Sequence, residues 1–104
     1  MKHKVYYAPE AQNDLGEIQE YIESELCNPE AAIGVIFRIL DEADKLKDFP
    51  DMGIPLSRTI QIETDYRYLI SGNYMIFYRH LGDAVYVDRV LYGRRNYLRV
   101  LFGE

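Results

Sequence analysis

Apolar residues in the first part of the chain recur at the spacing of an α-helix. The stripe consists of Ala11, Leu15, Ile18, Ile22 and Leu26. Intervals of three and four residues predict an amphipathic helix, and the glutamates between them face water. Pro9 suits the first turn of this helix. The β-prone residues 4–7, just before it, are predicted as a first strand.

A second helix is predicted from Pro29 to Asp48. Asn28 is a favourable N-cap residue, and Pro29 then occupies the first helical position. One apolar stripe of this helix is Ala32, Ile36, Ile39, Ala43 and Leu46, and another is Ile33, Phe37 and Leu40. Such a wide apolar surface predicts burial on two sides, against the first helix and against a sheet.

The next segment, residues 50–64, holds two prolines and a glycine and is predicted as a loop with one helical turn near residues 56–60. Apolar and polar residues then alternate in three short strands that begin at Tyr66, Tyr74 and Ala84. Gly72-Asn73 and Gly82-Asp83 separate them at hairpin distance, so the strands form an antiparallel meander. Strict alternation places Val85, Val87, Arg89 and Leu91 on one face of the last strand. Both faces are substantially apolar, so the face without helices needs a partner or a concave site.

These elements predict an α+β fold with an N-terminal strand, a helical hairpin packed on a mostly antiparallel sheet, and a short basic C-terminal segment. The 104 residues suit a single domain spanning 1–104. No apolar run approaches the roughly 18–20 residues of a membrane span, and the segment MKHKVYY lacks the apolar centre of a signal peptide. We therefore expect a cytoplasmic protein without membrane contact. A single cysteine, Cys27, excludes an internal disulfide, and no metal or cofactor is predicted.

Charge divides the chain into two unequal parts. Residues 1–65 carry 6 Lys+Arg against 14 Asp+Glu, whereas residues 66–104 carry 6 against 3, within a net charge of −5. All six cations of the second part are arginines. Arginine presents a permanent charged fork that matches phosphate, and tyrosine stacks on bases, so this part is a candidate for binding nucleic acid or another target. The candidates for binding are Arg67, Arg79, Arg89, Arg94 and Arg99. The sequence pI of about 5.0 argues against general nucleic-acid binding.

The chain resembles the RelE/ParE family of toxins from bacterial type II toxin–antitoxin modules. The likeness rests on VYYAPEAQNDLGEIQEYI, FPDMGIPL, ETDYRYLISGNYMIFYR and VDRVLYGRRNYL, which together span nearly the whole chain. The resemblance implies a cognate antitoxin that wraps the toxin and forms a hetero-oligomer with it. If the neutralising segment of that antitoxin is acidic, it should contact Arg94, Arg95 and Arg99.

The family contains two activities, and the resemblance alone does not choose between them. RelE-like members are ribosome-dependent endoribonucleases that cut mRNA, whereas ParE-like members inhibit DNA gyrase by binding. Cleavage of RNA without a metal needs a base for the 2′-hydroxyl, cations for the phosphate charge and an acid for the leaving oxygen. The resemblance implies one arginine in the middle strand, where this chain has Met75, and one after the last strand, where it has Arg95. Tyr92 stands where relatives often have histidine, and Leu101 lies near the position of a catalytic tyrosine.

The nuclease interpretation assigns catalysis to Arg95 with Tyr92 or Tyr97, and it predicts that these residues converge on one cleft with Arg67 or Arg79. The binding interpretation predicts scattered arginines and an apolar docking face. Met75 in the middle strand and Tyr92 before the Arg94-Arg95 pair both depart from the nuclease pattern. These departures favour a ParE-like gyrase inhibitor. A RelE-like nuclease acting on mRNA in the ribosome stays open, as does a degenerate, non-toxic member. The strand arginines are equally consistent with ordinary ion pairs to nearby carboxylates, namely Glu63, Asp65, Asp83 or Asp88.

Overall fold

The computed structural model describes residues 2–93 and 96–103, and it confirms the predicted α+β architecture. Its elements are β1 (Lys4–Tyr7), α1 (Pro9–Ser24), α2 (Pro29–Asp44), β2 (Ile54–Pro55), β3 (Arg67–Ser71), β4 (Tyr74–Leu81), β5 (Ala84–Tyr92) and α3 (Tyr97–Phe102). Turns of 3₁₀ helix follow α2 at Lys45–Lys47 and β2 at Leu56–Arg58. None of the helices in the described part is long and apolar enough to cross a membrane.

The sheet has the strand order β1-β5-β4-β3-β2 and is antiparallel except where β1 pairs with β5. That parallel pair requires a crossover connection, which the α1–α2 hairpin supplies. Gly72 and Gly82 open the two hairpin turns with φ of 59° and 63°. A tight hairpin turn needs a positive φ at this position, which glycine adopts without steric cost. The predicted meander is therefore confirmed, whereas the edge strand β2 lies in a segment predicted as loop.

The two helices form a single layer on one face of the sheet. The Asn28 side chain accepts a hydrogen bond of 3.1 Å from the Ala31 amide, as predicted for the cap of α2. The helix ends at Asp44 rather than Asp48 and tightens into a 3₁₀ turn. Burial of α2 on two sides is wrong, because Ile33 and Phe37 are 51 and 62 % exposed. A helix in a single layer has one side on the core and the other in solvent.

The sheet separates two apolar clusters. The helix-side core contains Ile39, Ala43, Leu46, Ile76, Tyr78, Val85, Val87 and Val90. The α3-side core contains Leu56, Tyr68, Phe77 and Leu91, and α3 packs against it. The expectation that this second face needs a partner is therefore wrong around Phe77, because the C-terminal segment folds back on the face as a helix.

A β-bulge interrupts β5 at Asp88. Phe77 pairs with Arg89 and Tyr78 with Val87, which leaves Asp88 as the extra residue. A bulge shifts the side chains that follow it by one position. Val90 therefore joins Val87 in the helix-side core, and the strict alternation predicted for this strand is wrong beyond Val87.

Candidate functional site

Arg67 ties β3 to the loop before β2. One terminal nitrogen of its guanidinium donates hydrogen bonds to the carbonyl oxygens of Asp51 (3.1 Å) and Gly53 (2.9 Å). Its Nε lies 3.7 Å from the Asp51 carboxylate. Arg67 pairs across the strands with Tyr78, a residue of the helix-side core, so it lies on the same face of the sheet as the helices.

Arg79 lies on the opposite face, where it shares a carboxylate with a tyrosine. Its Nε donates to Oδ2 of Asp88 at 2.7 Å, and the Tyr66 hydroxyl donates to the same oxygen at 3.1 Å. The guanidinium carbon also lies 5.8 Å from the centroid of the Tyr66 ring, within cation–π range. Asp88 is one of the carboxylates that the sequence indicates as an ordinary ion-pair partner for a strand arginine.

The Tyr66 hydroxyl should titrate about two pH units above an ordinary tyrosine. Burial, followed by the Asp88 charge and the hydrogen bond to it, raises the pKa of Tyr66 from 10.0 to about 12. A raised pKa means that the folded state holds the Tyr66 proton more tightly than the unfolded state does. The resulting contribution to the free energy of unfolding is complete below pH 10 and is lost as the pH rises through about 12. Phenolate absorbance is followed in the ultraviolet as the pH rises, and the titration curve of the Tyr66→Phe variant is subtracted from that of the parent chain. The difference should show a step near pH 12. A difference step near pH 10 would contradict the contact with Asp88.

Arg89 forms an ion pair with Asp14 of α1. The Arg89 Nε and one terminal nitrogen donate to the two carboxylate oxygens, both at 2.8 Å, and the Val90 amide donates to Oδ2 at 2.9 Å. The Asp14 side chain is only 3 % exposed. This geometry is the bidentate arrangement that makes Arg–carboxylate pairs strong. Hydrogen bonding to Asp14 raises the pKa of Arg89, so the guanidinium stays charged in the pair.

The remaining candidates lie at the end of β5 and beyond it. Tyr92 is 42 % exposed and makes an edge contact with Tyr74, with ring centroids 5.9 Å apart. Tyr97 packs on Phe77 at 5.2 Å, as part of α3. Arg99 is an exposed residue of α3. The predicted roles of Arg94 and Arg95 fall on residues outside the described part of the chain.

A small concavity marks the position at which a nuclease would need its middle-strand cation. It has a volume of about 240 Å³ and lies beside the β3–β4 turn, lined by Ile70, Asn73, Tyr74, Met75, Tyr92 and Gly93. Within this lining, the phenols of Tyr74 and Tyr92 are the ionisable groups. Burial, with smaller effects of Tyr92 and Tyr21, raises the pKa of Tyr74, so less of the phenolate that could accept a proton is present near neutral pH.

The described candidates do not share a cleft. Arg67 and Arg79 extend to opposite faces of the sheet, and each is held by a carboxylate or by carbonyl groups. Tyr97 is packed in the α3-side core, and Tyr92 lies at the far end of β5 from Arg79. Arg95, the remaining member of the predicted set, lies outside the described residues.

A cluster of polar side chains that the sequence did not suggest connects the segment before β1 to β4. His80 Nδ1 lies 2.8 Å from an Asp51 carboxylate oxygen, and its Nε2 lies 2.9 Å from the Gly82 carbonyl. The His3 ring meets the His80 ring edge-on at 4.9 Å. The hydrogen bond from His80 lowers the pKa of Asp51. Across residues 2–93 and 96–103, no group of three His, Cys, Asp or Glu side chains could hold a metal ion.

Comparison with known proteins agrees with this fold. A family model described as the ParE toxin of type II toxin–antitoxin systems, parDE, matches residues 5–97. The chain therefore belongs to the ParE toxin family. No curated protein matches. A solved structure titled as the chromosomal ParDE system of P. aeruginosa is similar, with a TM-score of 0.71 and 19 % identity over 86 % of this chain and 94 % of that one. At this identity the likeness concerns the fold.

Proposed function

We propose that this chain arrests bacterial growth by binding DNA gyrase, and that a cognate antitoxin neutralises it. The observation that carries the proposal concerns Arg67 and Arg79, one of which a nuclease cleft would need beside Arg95. They extend to opposite faces of the sheet, and each is occupied by partners within the chain. Phosphoryl chemistry without a metal needs several cations around one phosphate. An inhibitor that acts by binding has no such requirement.

Met75 supports the same proposal. It occupies the middle-strand position where the nuclease pattern requires arginine, and its thioether carries no charge for a phosphate. Burial raises the pKa of the neighbouring Tyr74 phenol above its ordinary value, so little of the proton-accepting phenolate is present near neutral pH. A nuclease built here would lack the middle-strand cation for the charge that develops on phosphorus.

The antitoxin follows from family membership, because the family is defined within toxin–antitoxin modules. A toxin and antitoxin of this kind form a hetero-oligomer, and we extend that arrangement to this chain. The C-terminal arginines then provide contacts for acidic residues of the antitoxin. Residues 66–104 carry the excess of positive charge that such contacts need.

Induction of this chain alone in bacterial cells, with pulse labelling of DNA and protein synthesis in parallel, tests the target. We expect DNA synthesis to stop first and DNA breaks to accumulate, and purified chain to inhibit supercoiling by gyrase. Co-expression of the antitoxin should restore growth. Arg95→Ala and the exposed control Arg58→Ala should differ little in toxicity if no phosphoryl chemistry is involved.

Other outcomes would identify the alternatives. If translation stops first and Arg95→Ala alone relieves the arrest, the chain is a RelE-like endoribonuclease and the gyrase proposal is wrong. If both syntheses continue and cells grow normally with folded protein present, the chain is a degenerate, non-toxic member of the family.

A further inference from the structure

The chain has two histidines, and the fold brings them into contact. His3 precedes β1 and His80 lies near the end of β4, and their rings meet edge-on with centroids 4.9 Å apart. Main-chain hydrogen bonds hold the segment that carries His3. Its amide donates to the Lys47 carbonyl at 2.7 Å, and the Lys4 amide donates to the Asp83 carbonyl at 3.1 Å. The contact between the two rings is therefore part of the framework around β1.

His80 has a hydrogen-bond acceptor at each of its ring nitrogens. Nδ1 lies 2.8 Å from the Asp51 carboxylate, and Nε2 lies 2.9 Å from the Gly82 carbonyl oxygen. An ionised carboxylate and a main-chain carbonyl both accept hydrogen bonds and cannot donate them. A neutral imidazole carries one N–H, whereas the protonated ring carries two. The protonated ring is therefore the form of His80 that satisfies both contacts.

The ionisation of Asp51 agrees with a positively charged partner. The hydrogen bond from His80 lowers the pKa of Asp51, so this carboxylate carries its charge near neutral pH. The His80 side chain is only 23 % exposed, whereas the Asp51 side chain is 62 % exposed. Water therefore reaches the carboxylate more easily than it reaches the ring, and the ring depends more on its partners within the chain.

Two further groups determine how much positive charge the cluster holds. Arg67 of β3 is a permanent cation whose Nε lies 3.7 Å from the same Asp51 oxygen, so it competes with His80 for that carboxylate. Within the described residues, the Nδ1 atom of His3 is buried without a hydrogen-bond partner. A proton on this atom would have no acceptor and would lie beside the charged His80 ring. The arrangement therefore accommodates one protonated histidine, and His80 has the acceptors for it.

The elements on either side add main-chain groups to the cluster. From the 3₁₀ turn after α2, Lys47 contributes its carbonyl to His3, while its ammonium pairs with Asp44 at 2.6 Å. From the turn between β4 and β5, the exposed Asp83 contributes its carbonyl to the Lys4 amide. The side-chain charges that act on the Asp51 carboxylate are accordingly those of His80, Arg67 and His3.

We propose that Asp51, His80 and Gly82 form a pH-sensitive link, which connects the loop before β2 to the β4–β5 turn when the His80 ring is protonated and opens when the ring loses one proton. In the closed link the ring donates to both acceptors. In the open link a single N–H remains, and the exposed Asp51 carboxylate takes water in place of the ring. The inference does not depend on the target proposed above.

Opening of the link should loosen the edge of the sheet rather than unfold the chain. Arg67 continues to donate to the carbonyls of Asp51 and Gly53, and the Gly53 amide continues to donate to the Tyr78 hydroxyl. The loop therefore stays attached to β3 and β4 through main-chain groups but loses its side-chain contact with His80. Because β2 consists of only two residues, this contact is a substantial part of what holds the edge.

Nitrogen-15 chemical shifts of the ring nitrogens distinguish a protonated histidine from either neutral tautomer. The measurement is made on the full chain at pH 7, where an ordinary histidine is largely neutral. The variant His80→Gln retains His3 alone, and His3→Gln retains His80 alone, so the two sets of signals can be assigned. We expect the doubly protonated pattern for His80 and a neutral pattern for His3. A neutral His80 ring at pH 7 would overturn the proposal.

The pH dependence of stability tests the same link through folding. If the folded chain holds the second proton of His80 more tightly than the unfolded chain does, the stabilisation is present at low pH and is lost as the pH rises. Glutamine donates a hydrogen bond but does not titrate, so His80→Gln is the reference. In urea denaturation, the folding equilibrium constant of the parent chain divided by that of His80→Gln should fall by about fourfold between pH 5.5 and 8. A ratio that does not change with pH would contradict the link.

Two matched variants assign the effect to this contact. His3→Gln removes the other titrating ring, and the ratio of parent to His3→Gln should not fall as the pH rises. Asp51→Asn retains an acceptor oxygen but removes the charge, so the pH-dependent effect of His80→Gln should become smaller in that background. Circular dichroism checks that each variant is folded. If His3→Gln reproduces the fall, or if Asp51→Asn leaves the effect of His80→Gln unchanged, the proposal is wrong.

Discussion

Asp14→Ala should lower the free energy of unfolding by about 3–5 kcal/mol. The substitution leaves the Arg89 guanidinium without its carboxylate and the Val90 amide without its acceptor. A charge left unpaired in a largely buried site costs more than the pair contributes, because the guanidinium has been removed from much of its water. Urea denaturation of the purified chain measures the loss.

Asp88→Ala is the matched control for this prediction. It also removes the carboxylate partner of a strand arginine, but the Arg79 side chain is 36 % exposed and can be solvated. We expect a loss of at most about 2 kcal/mol. A double change of Asp14→Leu with Arg89→Met should recover part of the stability, because no charge is then left unpaired. If Asp14→Ala and Asp88→Ala cost the same, the Asp14–Arg89 pair does not behave as a buried one.

Gly53→Ala should destabilise the fold by about 3 kcal/mol, near the upper end of the cost of overpacking a core. A Cβ atom at this position would lie 2.6 Å from the Tyr78 hydroxyl and 3.0 Å from the Tyr68 carbonyl. Tyr78 is fully buried, and its hydroxyl accepts a hydrogen bond of 2.9 Å from the Gly53 amide. The ring therefore has no free space to move into, and any shift also breaks this buried hydrogen bond.

Gly16→Ala makes the same chemical change where space is available. Nothing lies within 4 Å of a Cβ atom at residue 16, which is exposed in the middle of α1. Alanine should stabilise the helix by about 1 kcal/mol relative to glycine. Thermal unfolding of the two variants beside the parent chain should therefore shift in opposite directions. A Gly53→Ala protein as stable as the parent would mean that the loop before β2 can move away from Tyr78.

Local patterns were sufficient for most of the secondary structure. Strand β1 and the start of α1 at Pro9 were predicted from β propensity and a proline signal. The cap at Asn28 and the turns at Gly72 and Gly82 depend on short-range chemistry, and they formed as expected. The predictions that were wrong concern burial. The exposure of Ile33 and Phe37 depends on whether a second layer of structure covers the outer side of α2, and none of the described elements does so.

The candidate site shows the same division. The sequence indicated that Arg79 could pair with Asp88, which is nine residues away. It did not indicate that Arg89 pairs with Asp14, which is 75 residues away. A signal was present, since Asp14 continues the i+3 and i+4 spacing that joins Ala11 to Ile18 on the buried side of α1. A buried carboxylate is tolerated at that position because Arg89 and the Val90 amide of β5 donate hydrogen bonds to it.

The sequence by itself determined the order of elements, the hairpin turns and the separation of acidic and basic parts of the chain, because spacing, turn chemistry and charge are properties of neighbouring residues. The tertiary structure decided which arginines have partners within the chain, where the bulge at Asp88 turns β5, and that α3 covers one face of the sheet. These features depend on contacts between residues distant along the chain, and no local pattern encodes such contacts.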